Sequence, residues 1–315
     1  MPSKKILVIV GPTASGKTRM AVELAKAHNG EVVSADSMQI YRRMDIGTAK
    51  PTAEEMDGVP HHMIDVADPE EDFSVARYVE MASACVDDIL SRGKLPIVAG
   101  GTGLYVDSLL SGRTFAAFSP DSSLRKELEA ELAERGGEAM LAELSRVDPE
   151  AAARLHPNDH KRIVRALEVY RSTGKTISEH NRETRALPPR YEALTIGLNF
   201  QDRADLWARI DARVDQMAAD GLEREVRELL SSGLSPRCTA MQAIGYKEFV
   251  AAVEGTMTWR EAEELVKLRS RQYAKRQLTW FRRNPAVHWL LWEKNPNFGN
   301  ARQRSTELLE EFGLG

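Results

Sequence analysis

The eight residues Gly11–Thr18, which read GPTASGKT, constrain the fold of this chain more than any other stretch. They match the phosphate-binding loop pattern G-x-x-x-x-G-K-[ST] at every fixed position. A short apolar run typical of a buried parallel strand, Ile6–Val10, precedes them, and apolar residues at helical spacing follow. In such a strand–loop–helix unit the backbone N–H groups converge on an anion, and the helix N-terminus adds positive potential. The sequence therefore predicts an α/β fold that binds a di- or triphosphate.

The same pattern assigns roles within the loop. Lys17 reaches the terminal phosphates, and the hydroxyl of Thr18 coordinates Mg²⁺, which is the one cofactor we expect. The expected diphosphate-binding residues are Gly11, Pro12, Thr13, Ala14, Ser15, Gly16, Lys17 and Thr18. The loop does not identify the molecule that carries the phosphates, so an ATP-dependent small-molecule kinase is an open alternative at this point.

Bulk properties restrict the class of protein. The chain has 315 residues and a formal net charge of −4, and no stretch approaches the roughly 18 apolar residues of a membrane span. The two cysteines, Cys85 and Cys238, lie far apart without metal-type spacing, which is typical of a reducing compartment. We therefore expect a cytoplasmic protein that makes no membrane contact and is a monomer.

Basic residues are concentrated in two segments of this mildly acidic chain. Seven basic residues and no acidic ones lie between Lys267 and Arg283, and eight basic residues lie with three glutamates between Lys161 and Arg190. Such clusters predict a localised surface for a polyanion. Aromatic residues within the first segment either stack on unpaired bases or form the core face of a long helix. They are Tyr273, Trp280 and Phe281.

Two further candidates follow predicted strands. Asp36 comes at the end of the strand Glu31–Ala35, and Thr102 lies in a glycine turn after the strand Leu95–Ala99. Ligands and catalytic groups gather at the carboxyl ends of parallel strands. Asp36 is therefore expected to hold Mg²⁺ or to act as a general base. Thr102 is expected to present its hydroxyl to an anion or to cap a helix.

A helical block interrupts the alternation of strands and helices. From Phe115 the pattern predicts helices only, over 120–145 and 149–173, and a strand resumes at Leu194–Leu198. The fold class is therefore α/β, a P-loop NTPase-like parallel sheet flanked by helices, with an all-helical insertion domain. We expect the core from 1–115 and 194–315 and the insertion from 116–193. The first core helix is expected to end with Gly30 as its stop signal.

Nine segments match a known family in order. They are GPTASGKT (11–18), SADSMQIY (34–41), GTAKPT (47–52), HHMID (61–65), VAGGTGLY (98–105), LHPND (155–159), RIVRALE (162–168), MQAIGYKE (241–248) and QLTWFRR (277–283). The chain closely resembles the tRNA dimethylallyltransferases, the bacterial tRNA isopentenyltransferases, up to about residue 292. The resemblance implies that a dimethylallyl group moves from dimethylallyl diphosphate to the exocyclic amine of the adenosine on the 3′ side of the anticodon in tRNA, with release of diphosphate.

The implied reaction gives the candidates their roles. Asp36 is the expected base that removes the proton from the amine, and Thr102 joins the loop in stabilising the leaving diphosphate. The resemblance adds Arg125 as a third catalytic residue. The target base must leave its stack to reach Asp36.

The expected tRNA contacts come from the resemblance and from the basic helix. Helix packing is the alternative for the segments 160–164 and 241–247. The expected tRNA-binding residues are Asp36, Ser37, Met38, Gln39, His160, Lys161, Arg162, Ile163, Val164, Met241, Gln242, Gly245, Tyr246, Lys247, Arg276 and Arg282.

Overall fold

The computed structural model describes residues 4–112, 122–185 and 188–314. The chain falls into two compact units. The first comprises Met1–Leu110 together with Arg190–Gly315, and the second comprises Ser111–Pro189. These limits lie within a few residues of the insertion expected at 116–193. Within the described ranges, no helix combines the length and the apolar character that crossing a membrane requires.

The first unit is built on a sheet of six parallel strands. In chain order these are β1 Lys5–Val10, β2 Gly30–Ser34, β3 His61–His62, β4 Leu95–Gly100, β5 Glu192–Phe200 and β6 Val287–Trp292. Their order across the sheet is β3-β2-β4-β1-β5-β6. Every neighbouring pair is parallel, so the predicted α/β fold class is confirmed.

Helices connect and cover these strands. In chain order they are α1 Lys17–Ala27, α2 Ala53–Met56, α3 Val75–Ser91, α4 Gly103–Leu110, α5 Ser122–Val147, α6 Pro149–Ala152, α7 His160–Thr173, α8 Ile177–Arg185, α9 Arg203–Asp220, α10 Leu222–Ser231, α11 Tyr246–Val253, α12 Trp259–Phe281 and α13 Phe298–Phe312, with a 3₁₀ turn at Ala240–Gln242. Ile6–Val10 of the central strand β1 are completely buried. Burial on both faces is what the continuous apolar run of β1 requires.

The second unit is helical throughout its described secondary structure. Apolar residues of α5 and α7, among them Leu128, Leu144 and Ile163, form its core. The helical stretch predicted over 149–173 contains two helices in the structure, since α6 ends at Ala152 and α7 begins at His160. Pro157 lies between them, and proline supplies no backbone N–H and clashes with the preceding helical turn.

Candidate active site

The site lies where three neighbouring strands end. The phosphate loop follows β1, the segment beginning at Asp36 follows β2, and the second glycine turn follows β4, which lies between them in the sheet. A cavity of about 380 Å³ opens there, and both Lys17 and Asp36 line it. Asp36 and the phosphate loop therefore contribute to one cavity, at the carboxyl ends of neighbouring strands.

The phosphate loop has the backbone geometry that an anion site needs. Gly16 caps α1 in the left-handed region, with φ of 89°, which costs glycine little. The ammonium of Lys17 donates a hydrogen bond to the carbonyl of Pro12 over 2.6 Å. The hydroxyl of Ser15 is buried and, among the described residues, has no partner. The loop therefore presents helix N–H groups and a cation together.

A second cation, Arg213, accompanies Lys17 in this cavity. Burial and the guanidinium of Arg213 lower the pKa of Lys17 to about 7, while the carboxylate of Asp36 partly opposes the shift. Burial also lowers the pKa of Arg213. Burial destabilises the charged forms of both side chains, and the charge of Arg213 further destabilises that of Lys17. A bound anion would stabilise both charged forms. The cavity is thus suited to a diphosphate.

Helix α9 supplies two arginines that the sequence analysis missed. The Nε of Arg209 donates to the carbonyl of Ala14 over 3.3 Å, and Nη2 of Arg213 donates to the carbonyl of Ala49 over 3.3 Å. These residues lie four apart, on one face of the helix that follows β5. The spacing points to the phosphate loop only once β5 is known to neighbour β1, and both arginines lie outside the two basic segments.

Asp36 has one carboxylate oxygen fixed. Its Oδ1 accepts hydrogen bonds from the backbone N–H groups of Met38 over 2.9 Å and Gln39 over 3.4 Å. Its other oxygen, Oδ2, has no hydrogen-bond donor in the part of the chain that the structure describes. One oxygen therefore orients the carboxylate, and the other is available to accept a proton.

Thr102 supports this segment. Its hydroxyl oxygen accepts a hydrogen bond from the backbone N–H of Ser37 over 3.1 Å, so it ties the second glycine turn to the Asp36 segment. Tyr273 of α12 lies close to the same threonine. Burial and the nearby carboxylate of Asp36 raise the pKa of Tyr273 to about 12. Tyr273 is therefore protonated at neutral pH and adds a hydroxyl to the cavity that the sequence analysis did not assign.

Gln277 of α12 joins the two glycine turns. Its side-chain oxygen accepts from the backbone N–H of Thr13 over 2.9 Å, and its side-chain nitrogen donates to the carbonyl of Gly101 over 3.0 Å. A Cβ at Gly101 would lie only 2.1 Å from that nitrogen. Glycine at this position allows the buried amide to reach both loops.

The basic residues of α12, together with Arg282 directly after it, include two different kinds. Arg276 lines the cavity, and both Arg276 and Arg282 are exposed. Lys267 instead pairs with Asp215 over 2.5 Å. Arg271 pairs with Asp211 over 2.6 Å. The expected tRNA contacts Arg276 and Arg282 therefore remain predictions, whereas the other two cations are already neutralised.

The aromatic residues of α12 divide in the same way. Phe281 is buried, and Nε1 of Trp280 donates to the carboxylate of Asp107 over 2.9 Å. The core-face alternative therefore holds for Phe281, whereas Trp280 is half-buried and lies against Gly103 of α4. Tyr273 lines the cavity instead.

Four of the residues expected to bind tRNA have fully buried side chains. They are Ile163 and Val164 in the second unit, and Met241 and Tyr246 in the first. As core residues of their units, they offer tRNA no side-chain surface, which corrects the expected contact at these positions. Their exposed neighbours His160, Lys161, Arg162, Gln242 and Lys247 remain candidates. Gly245, also buried, has no side chain to offer.

Arg125 belongs to the second unit. Its Nε donates to Glu129 over 3.2 Å, and its Nη1 lies 3.7 Å from the carboxylate of Glu168. Glu168 is completely buried. Arg125 is thus held by two acids of its own unit, and its catalytic role stays a prediction.

The donor set for Mg²⁺ is small. The cavity is lined by the hydroxyl of Thr18 and the carboxylate of Asp36. Among the described residues, no group of three or more histidine, cysteine or acidic side chains could hold a metal ion. Mg²⁺ commonly binds through one or two protein oxygens together with phosphate oxygens and water. The residues present therefore fit an ion that arrives with a diphosphate.

Comparisons with known proteins identify relatives over nearly the whole chain. The family model for IPP transferase matches residues 39–284. A tRNA dimethylallyltransferase of Acetivibrio thermocellus is 50% identical over 285 residues, which are 90% of this chain and 91% of that protein. A tRNA dimethylallyltransferase of Geobacter sulfurreducens is 50% identical over 293 residues, covering 92% and 93%.

A solved structure agrees with these matches. The full-length tRNA isopentenylpyrophosphate transferase from Bacillus halodurans has 44% sequence identity and a TM-score of 0.73, with coverage of 98% of this chain and 97% of its own. The sequence match and the structural match extend over both units of the protein. The chain therefore belongs to the IPP transferase family, whose relatives are the tRNA dimethylallyltransferases.

Proposed function

We propose that this protein transfers a dimethylallyl group from dimethylallyl diphosphate to the exocyclic amine of the adenosine on the 3′ side of the anticodon in tRNA. One observation carries the proposal. A single cavity brings the cations Lys17 and Arg213 together with Asp36, whose Oδ2 is available to accept a proton. The cations suit a departing diphosphate, and the carboxylate suits an amine that must lose a proton.

Asp36 acts on the nucleophile. The adenine amine is a poor nucleophile because its lone pair is delocalised into the ring, so it must lose a proton as the C–N bond forms. Oδ2 of Asp36 accepts that proton, while the backbone N–H groups of Met38 and Gln39 hold Oδ1. General-base assistance of this kind typically contributes about 10²–10⁴-fold to the rate.

The phosphate loop acts on the leaving group. As the bond from the allylic carbon to oxygen breaks, negative charge develops on the diphosphate, and Lys17, Arg213 and the loop N–H groups stabilise it. Mg²⁺, held by Thr18 and the diphosphate oxygens, would add positive charge at the leaving group. Thr102 supports the segment that carries Asp36, and Tyr273 adds a hydroxyl to the cavity.

The tRNA side of the site is assigned to exposed cations. Arg276 lines the cavity, and Arg282 directly follows the last residue of α12. Gln39 and Met38 also line the cavity, where a base drawn out of its stack would meet them. A eukaryotic dimethylallyltransferase described as acting on tRNA has a TM-score of 0.84 and 32% identity to this chain, covering 98% of it and 79% of that protein. That relative supports tRNA as the acceptor.

A transfer assay tests the proposal. The protein is incubated with Mg²⁺, labelled dimethylallyl diphosphate and unmodified tRNA whose anticodon loop contains adenosines. We expect label in the tRNA with wild type, and none with Asp36→Ala, although that variant still binds tRNA. Near-normal turnover of Asp36→Ala at saturating substrate would reject Asp36 as the base.

The kinase alternative is tested in the same experiment. The relatives compared above lend it no support, since each is named a transferase that acts on tRNA. Phosphate release from ATP without transfer of label to tRNA would nevertheless favour a kinase and overturn the proposed function.

A further inference from the structure

Glu225 of α10 has an unusual set of partners. Its side chain is buried, and one carboxylate oxygen accepts the backbone N–H groups of Asp45 and Ile46, each over 2.8 Å. The other oxygen accepts the N–H of Gly47 over 3.1 Å and the hydroxyl of Tyr246 over 2.5 Å. Three successive N–H groups that converge on one carboxylate form an anion-binding nest. The carboxylate of Glu225 therefore fixes the position of the loop Asp45–Gly47.

The next residues of this loop, Thr48 and Ala49, orient the side chains of Gln39 and Arg213 in the active-site cavity. The carbonyl of Ala49 accepts from the side-chain amide of Gln39 over 3.1 Å and from Arg213 over 3.3 Å. The carbonyl of Thr48 accepts from the same Gln39 nitrogen over 3.4 Å. Glu225 itself does not line the cavity, whereas Gln39, Arg213, Thr48 and Ala49 do. The carboxylate of Glu225 therefore reaches the cavity only through the loop that it holds.

Tyr246 supports the loop from the side of the core. Its side chain is completely buried, and a Cβ on Gly47 would lie 2.5 Å from its ring. Burial and the carboxylate of Glu225 raise the pKa of Tyr246 far above its ordinary value, so the phenol stays a donor. The loop is thus held by hydrogen bonds to Glu225 and by contact with the Tyr246 ring.

We infer that Glu225 is a positioning residue, which, through the loop Asp45–Ala49, orients Arg213 toward the diphosphate and Gln39 toward the acceptor base. The inference rests on the proposed function for the meaning of those two targets. The effect of Glu225 on the loop can be tested without measuring catalytic turnover.

The test substitutes Glu225→Gln, which keeps the size of the side chain but places an N–H₂ group where an acceptor stood. We expect roughly tenfold weaker calorimetric binding of inorganic diphosphate with Mg²⁺. Amide hydrogen exchange in the peptide 44–50 should become faster. Glu223→Gln is the matched control, because Glu223 is a partly exposed residue of the same helix that pairs with Arg227. It should change neither measurement.

A double-mutant cycle separates positioning from mere support of the fold. If Glu225 acts through Arg213, the effect of Glu225→Gln on diphosphate binding disappears in an Arg213→Ala background. Additive effects, or unchanged diphosphate binding and amide exchange in folded Glu225→Gln, would overturn the inference. If Glu225→Gln does not fold, Gly47→Ala disturbs the same loop by contact with Tyr246 and should weaken diphosphate binding; unchanged binding would reject the inference.

The two proposals can fail separately. A wild-type protein that transfers no label to tRNA would remove the proposed function, whereas the diphosphate and hydrogen-exchange measurements would still report on the loop. A wild type that transfers label, together with a Glu225→Gln variant that matches it in diphosphate binding and in KM for dimethylallyl diphosphate, would remove only the role of Glu225.

Discussion

Lys17 shares its cavity with Arg213, and this pairing determines how the phosphate loop responds to pH. In the free protein the pKa of Lys17 is lowered to about 7, so the amine is largely neutral at pH 8 and largely charged at pH 6. A bound diphosphate favours the charged form. Binding above pH 7 must therefore be accompanied by proton uptake.

The first prediction concerns that proton. Above pH 7, diphosphate affinity should fall by up to tenfold per pH unit, because the free amine must first be protonated. Calorimetry at pH 8 in two buffers of different ionisation enthalpy measures the proton uptake. Lys17→Arg is the control, since a guanidinium stays charged at this pH. If wild type and Lys17→Arg took up the same number of protons at pH 8, Lys17 would not be neutral in the free protein.

The second prediction concerns Arg213. After burial, its charge is the largest cause of the lowered pKa of Lys17, so Arg213→Gln should raise that pKa. The pH at which affinity begins to fall then moves upward, while affinity at pH 6 drops because one cation is lost. An unchanged pH midpoint in calorimetric titrations of this variant would show that burial alone lowers the pKa.

At the scale of single residues, the sequence indicated those that belong to a continuous motif. Lys17 and Asp36 lie in or directly after recognisable strand–loop units, and both line the cavity. Arg213, Tyr273 and Gln277 could not be assigned in this way, because each comes from a helix distant in sequence. Only the folded sheet shows which helix faces reach the loops.

At the scale of elements, α12 joins the two glycine turns through one buried amide. Gln277→Met should leave the N–H of Thr13 and the carbonyl of Gly101 without their partner, at a cost of about 1–3 kcal/mol per unsatisfied group. We expect a lower midpoint of thermal unfolding and a higher KM for dimethylallyl diphosphate. Gln272→Met, at an exposed position on the same helix, is the control and should match wild type. A Gln277→Met protein with unchanged stability and KM would show that the two turns hold their positions without α12.

Element types were predicted better than element ends. The strand after α1 was expected to follow a stop at Gly30, but Asn29 takes the left-handed conformation, with φ of 49°, and Gly30 begins β2. A Cβ at Gly30 would lie 2.8 Å from the carbonyl of Leu95. That glycine therefore serves the close approach of β4. This requirement is tertiary, so no local pattern could reveal it.

At the scale of the whole molecule, charge pairing separates cations that can bind tRNA from those that stabilise the fold. Arg282 is exposed, so Arg282→Gln should weaken tRNA binding and reduce its salt dependence by about 0.7–0.9 in the slope of log affinity against log salt. Arg271→Gln is the matched comparison, because Arg271 is paired with Asp211, and its slope should stay unchanged. Filter binding from 50 to 200 mM salt measures both, and equal slopes for the two variants would refute this division.

The chain passes from the first unit into the second after Leu110 and returns to the first at Arg190. The backbone N–H of Arg190 donates to the carbonyl of Leu110 over 3.0 Å, so the two crossing points are neighbours. Replacing residues 112–188 with a short glycine–serine linker should therefore leave a first unit that folds cooperatively and binds diphosphate with unchanged affinity. Circular dichroism melts and calorimetry test this. Loss of cooperative unfolding would show that the first unit depends on the second.

The pairing of β1 has a consequence for synthesis on the ribosome. β1 takes β4 as one neighbour and β5 as the other, with Lys5 opposite Glu192, and the whole second unit separates β4 from β5 in the chain. While that unit is being translated, the nascent sheet ends at the unpaired edge of β1, where Ile6–Val10 are all apolar. Such edges associate with other chains, so we expect the nascent protein to be most prone to aggregation in the period before β5 emerges.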